Sequence, residues 1–496
     1  MTAFSSCNND DDNRSENNID DSVFIKLPVS QVDSFDPYLC ETDFNSKIGL
    51  LLFDGLIKIE EDLSYSYAVA SEVKVNGNSI FVEIRDDAYF SDSTSVTSRD
   101  VVDSFRKAKE SDAYSSKLSN IESATSSGDT GVVFTLGKSD VYSVKNLDFP
   151  IVKSVEEDNE ENKITVETES SDNIPIGCGR YKFEDGSIDT LILNEYWYGE
   201  TLPKIRRIKL VHLIDFSSAV NSMETGNISY LFQDLSSGIY NRVNANTSKI
   251  LMTNLVYLGI NSYSNSLSKP EVRQAISLVI NKDKIAEKSF LGYAQKTRTP
   301  FYPEWNEIEA LYFDKEDENE NFVEAKNLLD KAGYSETNEL GIRSSEDMKL
   351  TLLVNSDNAY KVAAANEIAA DLKSVGIEVV LNKLPFDEYK TELAYVNYDL
   401  YIGEVKLSND MSLGSFFESD GATSFGINRD TDIVKQYELF RAGQVSLQRF
   451  VDYFNVYLPF IPLCYRIGIA SYTNELSYGI EGTHSDIFAG IYSWEY

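Results

Sequence analysis

Residues 350–405, "LTLLVNSDNAYKVAAANEIAADLKSVGIEVVLNKLPFDEYKTELAYVNYDLYIGEV", decide the fold. Three short runs rich in leucine, isoleucine and valine (350–355, 377–382 and 398–405) alternate with two runs of helix-forming residues (359–376 and 386–396). Strand, helix, strand, helix, strand in that order predicts parallel strands joined by right-handed crossovers. In open α/β sheets, ligands sit beyond the carboxyl ends of the strands. The end of the third run therefore points to Glu404, Val405 and Lys406 as candidate ligand contacts.

Working back from this stretch, Val272, Ala275, Ile276, Val279 and Ile280 follow helical spacing, with Ser268 as a cap and Pro270 in the first turn. Asn281 caps a second helix that stops at Gly292. Phe322, Ala325, Leu328, Leu329 and Ala332 form another apolar stripe, ended by Gly333 in a left-handed C-cap. The first half of the chain has a different character. Two β-branched runs flank Asn76-Gly77-Asn78, the chemistry of a tight hairpin. Thr97 and Asp100 then make a short capping box for a helix whose buried face holds Val101, Val102, Phe105 and Ala108. Strand-like alternation returns over 190–213, so the first half reads as α+β with a mixed or antiparallel sheet. The change of character falls at "YLGIN", residues 257–261.

A chain of 496 residues is too long for one hydrophobic core, and 42% hydrophobic residues suffice to fill more than one. Its longest apolar runs, such as "KIGLLLFDGLI", fall short of the ~20 residues that a membrane-spanning helix needs. Eighty acidic against 45 basic residues give a net charge of −35, which disfavours nucleic acids and anionic head groups. No two of the four cysteines form a CxxC, and Cys40, Cys178 and Cys464 read as small buried thiols. With only His212 and His484, a histidine-rich metal site or a pair of Ser-His-Asp triads is hard to build. No catalytic residue, metal or cofactor is expected.

Nine segments in order carry a family resemblance: "VDSFDP", "LLLFDGL", the run from "YAVASEVKV" to "SRDVVDSF", "PIGCGRYKF", "NEYWYGETLPKIRRI", "YLGIN", "VRQAISLVINKDKI", "AKNLLDKAGY" and "YDLYIG". Together they resemble the extracellular solute-binding proteins of bacterial ABC importers, family 5, the peptide/nickel class. The resemblance implies a mixed α/β, two-lobed periplasmic-binding-protein fold of class II, the Venus-flytrap type. Its first lobe would be discontinuous, 22–260 plus 467–496, with an extra α+β subdomain at about 60–170. The second lobe would be 261–466. The implied function is capture of an oligopeptide or dipeptide in the cleft and delivery to the membrane permease subunits, by a monomer that is not an enzyme. The same fold also serves oligosaccharide binding and peptide-pheromone signalling. Nickel or haem is weakened by two isolated histidines. A hydrolase with paired carboxylates is the least favoured reading.

The resemblance also places ligand contacts at Glu41, Asp43 and Tyr114, and it implies that Gly403 to Lys406 pair main chain to main chain with an extended peptide. Enteric-type oligopeptide binders hold the peptide's amino terminus with an aspartate past the "YDL" strand. Here Leu407 stands near that position, and Glu404 and Asp410 are the nearby acids. "GCGRY" at 177–181 is a structural turn in the family, and Arg273 is expected on a helix surface or in a salt bridge. Finally, "FSSC" resembles the end of a lipoprotein signal, so that Cys7 would be the lipidated residue. Residues 1–21 are then a signal remnant and charged tether, and the protein is expected on the extracellular face of the cytoplasmic membrane or in the periplasm. A polar linker of about 15 residues spans ~20 Å on average and ~50 Å at most.

Overall fold

The computed structural model describes residues 24–154, 174–313, 317–419, 421–429 and 431–496. Cys7 and the expected tether lie outside the described residues, as does the acidic run at 156–162. Among the described residues no helix is long and apolar enough to cross a membrane.

The architecture is mixed α/β. Phe24–Ser30 pairs in parallel with Arg207–Leu213, and that sheet continues antiparallel through Thr190–Leu193 and Tyr181–Phe183. Beside it stands a separate antiparallel sheet, Ala70–Asn76, Ser79–Ile84, Gly131–Leu136 and Ile121–Ser127, in that order. Its first hairpin turns at Gly77-Asn78, where Gly77 takes φ +58°, as a two-residue turn requires. Helix Ser98–Glu110 opens with the capping box of Thr97 and Asp100. The "GCGRY" turn packs against the end of helix Asp43–Leu52 so closely that a Cβ on Gly177 would lie 2.1 Å from the Leu52 carbonyl oxygen.

The second half is built on the predicted alternation. Lys349–Asn355, Glu378–Leu384 and Leu400–Lys406 are parallel strands, linked by helices Ala359–Ser374 and Phe386–Ala394. Two of the sequence expectations need correction nearby. Ser268 does not cap: its hydroxyl donates to the Asn265 carbonyl, while Lys269 takes the N-cap position and Pro270 opens the helix. Arg273 is neither on the surface nor in a salt bridge. It is buried and donates to the carbonyls of Tyr457, Leu267 and Ser268.

Two long strands connect the halves. The outgoing strand, Asn246–Ile260, and the return strand, Phe460–Tyr472, run antiparallel to each other. At one end the return strand also pairs with Tyr230–Gln233 of the first lobe. At the other, outgoing residues 254–260 pair with 400–406 of the second lobe. The register shifts between Leu251 and Leu255, leaving Arg466 of the return strand opposite this irregular segment. The outgoing strand thus keeps the return strand on one edge as far as Gly259 and gains 400–406 on its other edge from Asn254 onward.

Candidate functional site

The site begins with the loop before helix Asp43–Leu52. Asp33 accepts from the amides of Glu41 (3.0 Å) and Thr42 (2.8 Å) and from the Thr42 hydroxyl (2.5 Å), which ties residues 33–42 into a compact turn. Burial pushes its carboxyl up, but the Thr42 hydroxyl and the backbone amides outweigh it and hold Asp33 below the usual carboxylate range. Glu41 and Asp43 consequently stand on the exposed side of the turn. Asp43 lines a cavity of about 380 Å³ with Lys47, Phe44, Phe232, Gln233 and Asp234, whereas Glu41 does not.

Tyr114 is half-buried, with its ring edge-on to Tyr38 at 5.7 Å and Lys117 above its face. Burial, and then the charge of Asp148, raise its hydroxyl pKa, so it is a neutral donor and acceptor. Asp148 in turn accepts from Lys117 (2.5 Å) and from the Asn409 amide of the second lobe (2.7 Å). Tyr114 therefore stands beside a contact between the first and second halves of the chain.

From the second lobe comes the strand Leu400–Lys406. Gly403 opposes Tyr257, and a Cβ there would fall 2.3 Å from the tyrosine ring, so only glycine fits. Glu404 turns inward. Its carboxylate is 2.8 Å from Lys361 and 3.9 Å from Arg466, and it accepts from Asn254 at 3.4 Å. Arg466 lies over the rings of Phe290 and Tyr360 and donates to the Leu235 carbonyl of the first lobe. The Asp410 carboxylate is likewise engaged, by Arg441 at 2.6 Å. Val405 is half-buried and Lys406 is exposed. Lys47 and Lys406 are close enough for the charge of one to act on the other.

The main chain of this strand is asymmetric. One edge is filled by the outgoing strand from 400 to 406, while on the other Lys349–Asn355 pairs only with Leu400 and Tyr401. The Leu407 amide donates to the Thr253 carbonyl on the filled edge. Strand alternation then sends the amides and carbonyls of Glu404 and Lys406 to the other edge, beyond the reach of the paired strand.

The structure thus places Asp43 and Lys47 on one cavity, Lys406 at the end of the open strand edge, and Tyr114 beside Lys117 and the Asp148–Asn409 contact. Lys47, Asp148, Asn409 and His484 were not singled out as contacts from the sequence. Lys47 reads there as one more helix lysine, and His484 is notable only because histidine is scarce.

Residues 62–423 match the family model described as bacterial extracellular solute-binding proteins, family 5 Middle. The chain is 26% identical over 393 residues to the oligopeptide-binding protein AppA of Bacillus subtilis strain 168, covering 75% of this chain and 70% of that protein. It is 26% identical over 373 residues to the nickel-binding protein NikA of Staphylococcus aureus strain NCTC 8325 / PS 47, covering 71% and 69%. Among solved structures, the unliganded open form of the periplasmic murein tripeptide-binding protein MppA superposes with a TM-score of 0.74. That match has 17% identity and covers 95% of this chain and 97% of the other, a likeness of fold.

Proposed function

Because the chain belongs to the bacterial extracellular solute-binding proteins of family 5, which serve ABC importers, we propose that it captures a dipeptide or oligopeptide between its lobes and delivers it to a membrane permease. The observation that carries this reading is the open edge at Glu404 and Lys406. An extended peptide adds to such an edge through its own amides and carbonyls, a sequence-tolerant mode in which side-chain pockets then select. Glu404 contributes its main chain, since its carboxylate is committed to Lys361 and Arg466. Asp43, Lys406 and Tyr114 contribute side chains, with Glu41 at the rim. Gly403 and Val405 shape the strand. In this reading the lobes are 22–260 with 467–496, including the subdomain at about 60–170, and 261–466. No chemistry is required of the cleft.

Thermal shift and isothermal titration against peptides of two to ten residues test this reading. A ligand present at 100 times its Kd is expected to stabilise the fold by about 2.7 kcal/mol. If none of the di- to decapeptides stabilises it, peptide capture is wrong.

Lipid attachment at Cys7 belongs to the same reading, because acyl chains there would hold the lobes near the permease while residues 8–22 span the gap. Mass spectrometry of the N-terminal peptide from membrane-extracted native protein is expected to find the cysteine acylated; a free thiol removes the anchor.

A further inference from the structure

We propose that segment 138–148 is a clasp that fastens the two lobes without any ligand, in which Asp140 docks on, and can leave, an Arg441–Asp410 pair that is complete without it. The proposal rests on the division into lobes given above and not on what they bind.

The segment is tied to the first half of the chain, where the Leu56 amide donates to the Leu147 carbonyl and the Ile151 amide to the Asp54 carbonyl. What its side chains meet belongs to the second half. The Arg441 guanidinium, 301 positions away, donates to Asp140 at 2.6 and 3.0 Å. The Val141 amide returns a bond of 2.9 Å to the Arg441 carbonyl. The Tyr142 hydroxyl donates to Glu307 at 2.9 Å, and its ring meets Trp305 edge-on at 5.3 Å, with Lys145 4.7 Å above that indole. Trp305 in turn packs on Phe301, which reaches Phe440 and Phe450, so it stands in the core of the second lobe. Among the described residues no strand pairing joins segment 138–148 to the second half, so side chains and single backbone bonds carry the whole contact.

The charges are divided unequally across this contact. Asp410 lies on the same side as Arg441 and accepts from it at 2.6 Å, and the guanidinium donates to the Asp410 carbonyl as well. The other Asp410 oxygen accepts from the Ser408 hydroxyl at 2.5 Å and from the Ser412 amide at 3.2 Å. That pair is neutral and closed on itself. Asp140 brings a second buried carboxylate to a single cation, and the desolvation of the extra charge works against docking. The Trp305 indole N–H is buried in the same interface with no acceptor, a condition uncommon inside a fold. Ionic and aromatic contacts opposed by a surplus charge and an orphaned donor describe a surface that docks and parts, as interfaces between domains of one chain do. A clasp of this kind populates the closed arrangement before a ligand arrives, and apparent affinity rises with that population.

Hydrogen exchange of the full chain, read by mass spectrometry with no ligand added, tests the clasp through two amides. Val141 donates to Arg441, and Asn306 donates across the same interface to the Asp62 carbonyl at 3.0 Å, a bond that does not involve Asp140. In Asp140→Ala both are expected to exchange about ten-fold faster or more, and together, while strands Ser79–Ile84 and Lys349–Asn355 exchange as in the wild type. Tyr142→Phe, which loses only the Glu307 bond, is expected to give the same joint acceleration to a smaller degree, and it keeps the test decisive if Asp140→Ala misfolds. Wild-type rates at both amides overturn the clasp. Acceleration at Val141 alone is local fraying and overturns it too. Equal acceleration in the two strands would make Asp140 part of the fold and likewise overturns it. Because no ligand is added, each outcome is separate from that of the peptide titrations.

Discussion

Arg441→Leu is expected to lower the unfolding free energy by about 3–5 kcal/mol at pH 7. The guanidinium is buried between two carboxylates, Asp140 (2.6 and 3.0 Å) and Asp410 (2.6 Å), and also donates to the Asp410 carbonyl. It lies over the Tyr142 ring, which contacts Trp305 and Phe440 at 5.3 Å each. Removing the cation leaves two acids facing each other with no counter-charge. Burial, joined by the charge of Asp410, already pushes Asp140 up, and Arg441 is the main opposing group, with help from the Tyr142 amide. In the variant the pair would hold a proton more tightly than in the unfolded chain, so stability would recover as pH falls toward 5 and the deficit would be full at pH 7. Urea unfolding followed by tryptophan fluorescence measures both effects. A loss below 1 kcal/mol, or one independent of pH, would show that the cluster is not a closed unit.

The second expectation is acid lability centred on one histidine. Burial, and after it the Lys406 charge, push the His484 imidazole down to about 4, whereas an unfolded histidine titrates near 6.5. Below pH 6.5 the unfolded chain therefore binds a proton that the folded chain refuses. Stability is fully present above 6.5 and is lost as pH falls through 4, by about 3 kcal/mol in all and about 2 kcal/mol between pH 7 and 5. His484→Gln removes that slope. His212, which lies 2.7 Å from Asp189, is unchanged in both proteins and cancels in the comparison. Parallel losses in the wild type and the variant between pH 7 and 5 would refute the assignment.

What the sequence revealed was what depends on neighbours along the chain. The alternation over 350–405 is written in hydrophobic runs and breaks, and it folded as parallel strands with helical crossovers. The Thr97 box and the turn after Asn76 are likewise set by a few adjacent residues. The Ser268 cap failed on a competition that spacing cannot register, because its hydroxyl found a carbonyl three residues back. Arg273 was misjudged because the carbonyl of Tyr457, 184 positions away, receives it. The site was least legible for the same reason. That Glu404 would meet Lys361 and Arg466, or that Lys47 would approach Lys406, depends on two lobes folding together, and no local pattern in an acid-rich chain marks which charges will be paired.

The register shift in the outgoing strand has a kinematic consequence. Any rotation of one lobe against the other must pass through Leu251–Leu255 and Arg466, where the ladder is already irregular. Lys406 is paired with Asn254 within this segment, so a rotation centred there would carry it over a short arc. A ligand held at Lys406 would then keep that contact while its other end is uncovered.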